Sequence, residues 1–137
     1  MTVFFKRDAG KNLGARGEKI AVRFLKKNNY KIYARNWYNK KGRRMGEIDV
    51  VAFDKKENVF VFVEVKTRTV DENTKKDDII PQEQITPTKL HKLNKIAQAY
   101  ISEYNLWNQK WRFDAITVLF IDNKSKPEIT HIENIFL

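Results

Sequence analysis

The part of the sequence that most constrains the fold is NVFVFVEVKT at positions 58–67, in which valine alternates with phenylalanine. Side chains of a β-strand point alternately to its two faces, so the valines occupy one face and the phenylalanines the other. A strand that is apolar on both faces is typical of the centre of a sheet covered on both sides. We therefore predict a sheet with helices packed against both of its faces.

The rest of the chain supplies the helices and strands that such a sheet needs. Helical spacing of apolar residues predicts a first helix over residues 13–28, and Thr86 as N-cap before Pro87 predicts the start of a second helix. Extended runs bounded by turn-forming residues predict strands at residues 30–37, 46–53, 58–67, 111–121 and 128–136. Residues 69–85 are polar and have no clear period, so we expect a long loop there that is a candidate for mobility.

The order of these segments predicts an α/β fold: a helix, three antiparallel strands, a second helix and a further strand. Strands joined by short turns are expected to be antiparallel, and the strand that follows the second helix is expected to lie parallel to its neighbour. With 137 residues the chain has the usual size of one domain. We therefore expect residues 1–137 to form a single domain around a mixed sheet.

Basic side chains are concentrated in the first third of the chain. Residues 1–46 hold 14 Lys or Arg and 2 Asp or Glu, a charge of +12, while the whole chain carries +10. This excess indicates a polyanion such as nucleic acid as partner, although a well-solvated basic surface also explains it. No apolar run reaches the roughly 18 residues of a membrane helix, and the N-terminal charge order does not fit a secretory signal. With no cysteine present, we expect a cytoplasmic protein without a membrane partner.

Acidic residues of two neighbouring strands are predicted to meet. If residues 46–53 and 58–67 form a hairpin about residues 54–57, the numbers of opposed residues sum to 113, so Asp49 lies opposite Glu64 and Glu47 opposite Lys66. Opposed carboxylates repel each other, and a divalent cation with oxygen ligands, such as Mg²⁺, relieves that repulsion. The plain alternative is a Glu47–Lys66 ion pair beside two acids at a solvated end of the sheet.

A third carboxylate is predicted to join this pair. Glu18 has apolar residues three, four and seven positions further on, which places it on the apolar side of the first helix, where a carboxylate needs a partner. Gly14 and Gly17 would let that helix approach the sheet closely. Fraying of the helix or a tight turn explains the two glycines equally well.

Polar residues outside the hairpin are weaker candidates. Lys89 lies in the first turn of the second helix, where free N–H groups and a lysine suit a phosphate, although a solvated lysine is the plain alternative. Arg112 and Asp114 alternate at the start of a strand and are expected to form a local ion pair that supports the end of the sheet. His91 and His131 are isolated and lack metal-binding spacing, so we assign neither a metal role.

Several short motifs stand in a distinctive order: GARGEKIAVRFL from residue 14, RN from 35, GEIDVVAFD from 46, VFVFVEVKTR from 59, ITPTK from 85 and RFD from 112. In order and spacing they resemble the YraN family of bacterial proteins of unsettled function, over about residues 12–120. That family is similar to the PD-(D/E)XK nuclease superfamily, near the archaeal Holliday-junction resolvases. The resemblance implies a restriction-endonuclease-like core with a mixed sheet flanked by helices.

The resemblance also implies roles for individual residues. Asp49 and Glu64 match the metal-binding acids of the nuclease signature, Lys66 its lysine and Glu18 the acid of the first helix. In such a site Asp49, Glu64 and the Val65 carbonyl bind Mg²⁺ or Mn²⁺. Glu18 assists directly or through water, and Lys66 orients a water for attack on a phosphodiester. The loop at 69–85 departs from the family pattern, because it lacks the expected glycine and is longer and more acidic.

We therefore expect a metal-dependent endonuclease that acts on DNA rather than RNA, with branched or junction DNA as a candidate substrate and a homodimer as a candidate assembly. Substrate contacts are expected from Lys89, which matches a polar position of the family, and from a basic loop that contains Lys40, Lys41, Arg43 and Arg44. Trp37 and Tyr38 either stack on unpaired bases or pack against the protein. The alternatives are a non-catalytic nucleic-acid-binding accessory protein in DNA repair, recombination or uptake, and an RNA-binding or ribosome-associated protein.

Overall fold

The computed structural model describes residues 2–39, 46–71, 73 and 86–135, with the side chains of the first helix described from residue 12 onward. Within these residues, two helices and five strands follow one another along the chain. They are α1 (Thr2–Lys27), β1 (Tyr30–Trp37), β2 (Ile48–Asp54), β3 (Val59–Val70), α2 (Pro87–Glu103), β4 (Trp111–Ile121) and β5 (Glu128–Ile132).

The five strands form one sheet in the order β1-β2-β3-β4-β5, so each strand lies beside its neighbour in sequence. Strands β3 and β4 are parallel, and the other neighbouring pairs are antiparallel. The connection between the two parallel strands contains α2, as a parallel connection requires. The predicted α/β fold with a mixed sheet is therefore confirmed, and its order of elements is compatible with a restriction-endonuclease-like core.

The central strand β3 is apolar on both faces, and each face is covered by one helix. One face packs against α1 in a cluster that contains Val61 and Leu25. The other face packs against α2 in a cluster that contains Phe62 and Ile101. All four side chains are fully buried, and burial of each such side chain contributes about 1.5–3 kcal/mol. The two helices are thereby fixed on opposite faces of the same central strand.

The largest differences from the predicted boundaries occur at three places. Helix α1 begins at Thr2 and not at residue 13, because residues 2–12 contain no proline and only one glycine. Strand β3 continues to Val70, which still pairs with Ile121, so the predicted loop at 69–85 starts later, and residues 72 and 74–85 lie outside the described part of the chain. Strand β5 ends at Ile132, because Asn134 has a φ of 58° and its N–H donates to a carboxylate on β4. Even at 26 residues, α1 is not apolar enough to cross a membrane, and neither is any other described helix.

Gly17 brings α1 close to β3. A Cβ atom at this position would overlap the side chain of Thr67, whereas a Cβ atom at Gly14 would meet no atom within 4 Å. The predicted close approach is therefore confirmed at Gly17 and wrong at Gly14. Because Glu18 follows directly, the contact also fixes the distance between that carboxylate and the sheet.

Replacing Gly17 by Ala is expected to push α1 away from β3 and to lower the free energy of unfolding by about 1–3 kcal/mol, as overpacking does. Gly14→Ala is a matched control in the same helix. It is expected to raise the free energy of unfolding by about 0.4–1 kcal/mol, because alanine reduces the entropy of the unfolded chain. Urea denaturation measures both effects. Equal effects of the two substitutions would show that the close approach does not limit the packing of α1.

Candidate functional site

Regular pairing of β2 and β3 ends at the predicted acids. The two strands pair in the predicted register, with opposed residue numbers that sum to 113, as far as Val50 and Val63. Asp49 and Glu64 are the first residues beyond this region. The alternation of β2 also breaks here, because Ile48 packs in the cluster on the α2 side of the sheet, whereas Val50 packs on the α1 side. The side chain of Asp49 therefore lies where the strands no longer bond to each other.

The side chain of Asp49 takes the place of a backbone hydrogen bond between β2 and β3. Its Oδ2 accepts a hydrogen bond from the backbone N–H of Val65 at 2.8 Å. Burial raises the pKa of Asp49, the charges of Glu64 and Glu18 act in the same direction, and the Val65 hydrogen bond and the charge of Lys66 oppose them. The result is a pKa of about 7. Asp49 is thus harder to ionise than a free aspartic acid, mainly because it is buried and also because Glu64 and Glu18 are close.

Lys66 provides the cation nearest to the two acids. Its Nζ forms an ion pair with Glu64 Oε1 at 3.3 Å, and not with Glu47 as the plain alternative supposes. Burial lowers the pKa of Lys66, but its contact with the Lys89 side chain, its interaction with Glu64 and the charge of Asp49 outweigh it, so the pKa is raised. Lys66 is therefore positively charged at neutral pH.

Lys89 reaches this site from the first turn of α2. Its side chain lies beside that of Lys66, and this contact, burial and the charge of Lys66 together lower the pKa of Lys89. The backbone N–H of Lys89 is already occupied, because it donates to Oγ1 of the N-cap residue Thr86 at 3.2 Å. The expectation of a free N–H is therefore wrong for this residue, and an anion here would be bound by the lysine side chain.

Glu18 approaches the site from α1, on the opposite face of the sheet. With Lys66 and Thr67 it lines a cavity of about 360 Å³, and its charge contributes to the raised pKa of Asp49. In the described ranges, one group of three His, Asp or Glu residues has its ligand atoms all within 4.8 Å of one another, and Glu18 is not part of it. Glu18 is thus placed to act on the two acids through water rather than to share one ion with both of them.

That group of three consists of Asp114 on β4, His131 on β5 and Glu133 directly after β5. Arg112 donates to Asp114 and to Glu133, each at 3.0 Å, and also contacts Asp54, the last residue of β2. The predicted Arg112–Asp114 ion pair is therefore confirmed. His131 Nε2 lies 2.8 Å from Asp114 Oδ2, so this histidine has a partner in the fold although it stands alone in the sequence.

A metal ion fits this second group poorly, because the guanidinium of Arg112 already lies between its carboxylates. Burial raises the pKa of Asp114, but hydrogen bonds from His131, Arg112 and the backbone N–H of Asn134 outweigh it, so the pKa is lowered. The charge of Asp114 is thus compensated within the protein. Sequence reasoning missed most of this network, because Arg112 also donates to Tyr30, which is 82 residues away, and no local pattern signals such a contact.

Two further sets of predicted contacts have different outcomes. The basic residues expected to bind the substrate backbone lie outside the described part of the chain; they are Lys40, Lys41, Arg43 and Arg44. Trp37 packs edge to face on Tyr100, with ring centroids 5.0 Å apart, so packing is its role in this fold. Tyr38 is 42% exposed and remains accessible to a ligand.

Comparisons with known proteins give a consistent result over most of the chain. The model of the uncharacterised protein family UPF0102 matches residues 17–118, a range that includes Glu18, Asp49, Glu64, Lys66 and Lys89 but not His131 or Glu133. A UPF0102 protein of Caldanaerobacter subterraneus subsp. tengcongensis is 41% identical over 127 residues, or 92% of this chain and 95% of that protein. A UPF0102 protein of Mycolicibacterium gilvum is 37% identical over 130 residues, or 95% of this chain and 98% of that protein.

Proposed function

The chain belongs to the uncharacterised protein family UPF0102, the YraN family, and we propose that it is a metal-dependent nuclease that hydrolyses phosphodiester bonds in DNA. Because that family has no assigned activity, the proposal rests on the site itself. One observation carries this proposal. Asp49 and Glu64 lie together beside the cationic Lys66 where β2 and β3 cease to pair. Two carboxylates and a lysine supply a cation site and a positive donor next to each other.

The residues fit a divalent cation that prefers oxygen ligands. Asp49 uses Oδ2 for the Val65 N–H and keeps Oδ1 for a ligand. Its pKa is raised by burial and by the charges of Glu64 and Glu18, and a bound cation would favour the ionised form against both. Mg²⁺ and Mn²⁺ are bound by carboxylate and carbonyl oxygens together with water, so Asp49, Glu64 and the Val65 carbonyl would hold such an ion. The bound ion would polarise a phosphoryl oxygen and favour ionisation of a water.

The side chains around the two acids would have the remaining roles in catalysis and substrate binding. Lys66, which donates in its ion pair with Glu64, would orient the attacking water and stabilise the negative charge that develops on the phosphate. Glu18 would hold a water on the α1 side of the sheet. Lys89, in contact with Lys66, would bind a phosphate oxygen from the α2 side. The substrate strand would therefore cross the end of the sheet between the two helices.

The net charge of +10 supports a nucleic-acid substrate, and the resemblance to junction resolvases favours branched or junction DNA over RNA. A four-way junction has two strands to cut, which favours a homodimer with one site on each copy. Such an enzyme would work in the cytoplasm, where its DNA substrates are found.

Binding to DNA is expected to weaken steeply as the salt concentration rises. Each phosphate that the protein neutralises contributes a slope of about −0.9 in log K against log salt for duplex DNA. Removing the four basic side chains of Lys40, Lys41, Arg43 and Arg44 with alanine should flatten that slope. Fluorescence anisotropy over a salt series measures the change, and an unaltered slope would place the contacts to the DNA backbone elsewhere on the protein.

Replacing Asp49 by Asn is expected to stabilise the metal-free protein at high pH. A carboxyl group whose pKa is raised by folding destabilises the folded state above that pKa and has no such effect below its unfolded pKa, about 3.9. With a folded pKa of about 7, Asp49 lowers stability progressively as the pH rises from about 4 to about 7. In EDTA at about pH 8, Asp49→Asn should raise the free energy of unfolding by about 1–3 kcal/mol, and at about pH 4 the gain should vanish.

Urea denaturation at the two pH values measures this difference. Asparagine still offers an oxygen to the Val65 N–H, so the hydrogen bond at this position is preserved in the variant. If Asp49→Asn destabilised the protein at both pH values, Asp49 would be a structural residue whose charge is already compensated. The fit of a cation to this site would then lose its physical basis.

The proposed activity is tested by incubating the purified protein with single-stranded, duplex, flapped and four-way DNA and with RNA of matching sequence, in Mg²⁺, Mn²⁺ or EDTA. We expect cleavage of at least one DNA substrate with either metal ion and none in EDTA. If the protein binds DNA but cleaves no substrate with either ion, a nucleic-acid-binding module becomes the better description. Cleavage of RNA alone would correct the substrate.

A further inference from the structure

A second cavity lies on the α2 side of the candidate site and has a volume of about 150 Å³. One wall is a stripe along α2 that repeats at three- and four-residue intervals, as residues on one helix face do. The opposite wall comes from the start of β2 and from β3. The lining residues are Gly46, Glu47, Glu64, Lys89, Lys92, Leu93 and Ile96.

The lining is layered, with an apolar floor and a charged rim. Leu93 and Ile96 form the floor and are only 6% and 3% exposed. Lys89 and Lys92 lie at the rim on the α2 side, and Glu47 lies at the rim on the β2 side; all three are exposed. A ligand that suits this arrangement has an apolar ring, a group that donates hydrogen bonds and a negative charge next to the ring.

Gly46 keeps the cavity open. Its φ is +104°, a conformation that residues with a side chain rarely adopt, and a Cβ atom at this position would lie 3.3 Å from Cδ1 of Ile96. Any larger side chain would therefore enter the space above the floor. Glycine is therefore favoured at position 46 both by the positive φ and by the need to leave space next to Ile96.

The volume of the cavity limits the size of the ligand that it can bind. A cavity of about 150 Å³ lined by aliphatic side chains binds one benzene molecule, so this cavity has room for a single six-membered ring. A pyrimidine base has such a ring and carries N–H groups that can donate hydrogen bonds to Glu47. In a nucleic acid it is also joined to phosphates that Lys89 and Lys92 can bind. The two fused rings of a purine need more space.

The cavity also has the right position. Glu64 lines it and belongs to the candidate metal site, so a base in the cavity would stand next to the phosphodiester bond that is cut. We propose that this cavity binds one unpaired pyrimidine base of the substrate strand, adjacent to the scissile bond. Because a paired base cannot enter a pocket without leaving the stack, the substrate is DNA that is single-stranded or locally unpaired at the site of cleavage. This inference rests on the proposed nuclease function.

Nucleotide binding tests the cavity without any cleavage. Thymidine 5′-monophosphate should shift the methyl resonances of Leu93 and Ile96 in NMR spectra of the full chain, and adenosine 5′-monophosphate should do so about tenfold more weakly or worse. Leu93→Phe fills the floor and should reduce binding of thymidine monophosphate by about tenfold or more. Leu90→Phe, on the same helix but outside the lining, is the matched control and should bind as the wild type does. Equal binding by Leu93→Phe, or no shift at these methyl groups, would overturn the inference.

Cleavage by the wild-type protein tests the same inference without relying on a folded variant. Single strands with thymine, adenine or an abasic residue at each position near the cut are compared in Mn²⁺. We expect thymine to be preferred by about tenfold at one position next to the scissile bond. If DNA is cut with no preference at any position, the base pocket is wrong and the nuclease stands. If thymidine monophosphate binds at Leu93 and Ile96 but no strand is cut, the cavity stands as a nucleotide site and the nuclease fails.

Discussion

Replacing Lys66 by Ala is expected to reduce the rate of DNA cleavage by about 10²–10³-fold, as loss of a donor to a developing negative charge does in other enzymes. The affinity for Mn²⁺ should not fall, because Lys66 is not an oxygen ligand and its positive charge opposes a second cation. Its ion pair with Glu64, at 3.3 Å, would be removed, so both oxygens of Glu64 become available to the metal ion. Single-turnover cleavage and calorimetric titration of Mn²⁺ measure the two effects separately.

Asp49→Asn is the matched comparison for Lys66→Ala. Both variants should lose cleavage, but only Asp49→Asn should also lose affinity for Mn²⁺, because it removes a charged ligand. DNA binding should persist in both variants, since the basic side chains that provide most of the charge are unchanged. If Lys66→Ala cleaved DNA at the wild-type rate, Lys66 would serve only to neutralise Glu64, and the proposed mechanism would lose its positioning group.

Replacing Asp114 by Ala is expected to lower the free energy of unfolding by about 3–5 kcal/mol, the range found when one partner of a buried ion pair is removed. Asp114 is fully buried, and it accepts hydrogen bonds from Arg112 and from the backbone N–H of Asn134. Without it, His131 loses its partner at 2.8 Å. Among the described residues, Arg112 then retains only its contacts with Asp54, Tyr30 and Glu133. This would be the largest loss of stability among the substitutions considered, although Asp114 is not a proposed ligand of the metal ion.

Glu133→Ala is the matched control, because Glu133 binds the same guanidinium but has a side chain that is 59% exposed. Exposed ion pairs contribute about 0–1 kcal/mol, so this variant should be nearly as stable as the wild type. The pKa of Asp114 is lowered by folding, so its contribution is complete above the unfolded pKa of about 3.9 and is lost as the pH falls below that value. Urea denaturation at about pH 7 measures both variants. Equal destabilisation would show that the network is not centred on Asp114.

The parts of the fold that follow from local patterns could be predicted from the sequence. The alternation of valine and phenylalanine in β3 depends only on the period of a strand, and it predicted that helices cover both faces. The hairpin register followed from the short turn at residues 54–57, and it is confirmed as far as Val50 and Val63. Thr86 and Pro87 fixed the start of α2 because capping is a local interaction.

Features that depend on distant residues could not be predicted in the same way. The hydrogen bond from Val65 N–H to Asp49 arises because β2 leaves its regular alternation, and no pattern in its sequence signals that irregularity. The network around Arg112 joins β1, β2, β4 and the residues after β5, so its members share no spacing in the chain. The cavity on the α2 side forms only where that helix meets the start of β2. Sequence reasoning named Glu47 and Lys89 but could not place them on one cavity.

The binding of Mn²⁺ to the purified wild-type protein, to Asp49→Asn and to His131→Ala tests the central claim most directly. Calorimetric titration gives the number of sites and the affinity for each protein, and the two variants separate the candidate metal site from the group of Asp114, His131 and Glu133. We expect one site in the wild type, the same site in His131→Ala and a large loss of affinity in Asp49→Asn. Wild-type affinity in Asp49→Asn, or a site that is lost in His131→Ala, would contradict the assignment of the metal ion to Asp49 and Glu64.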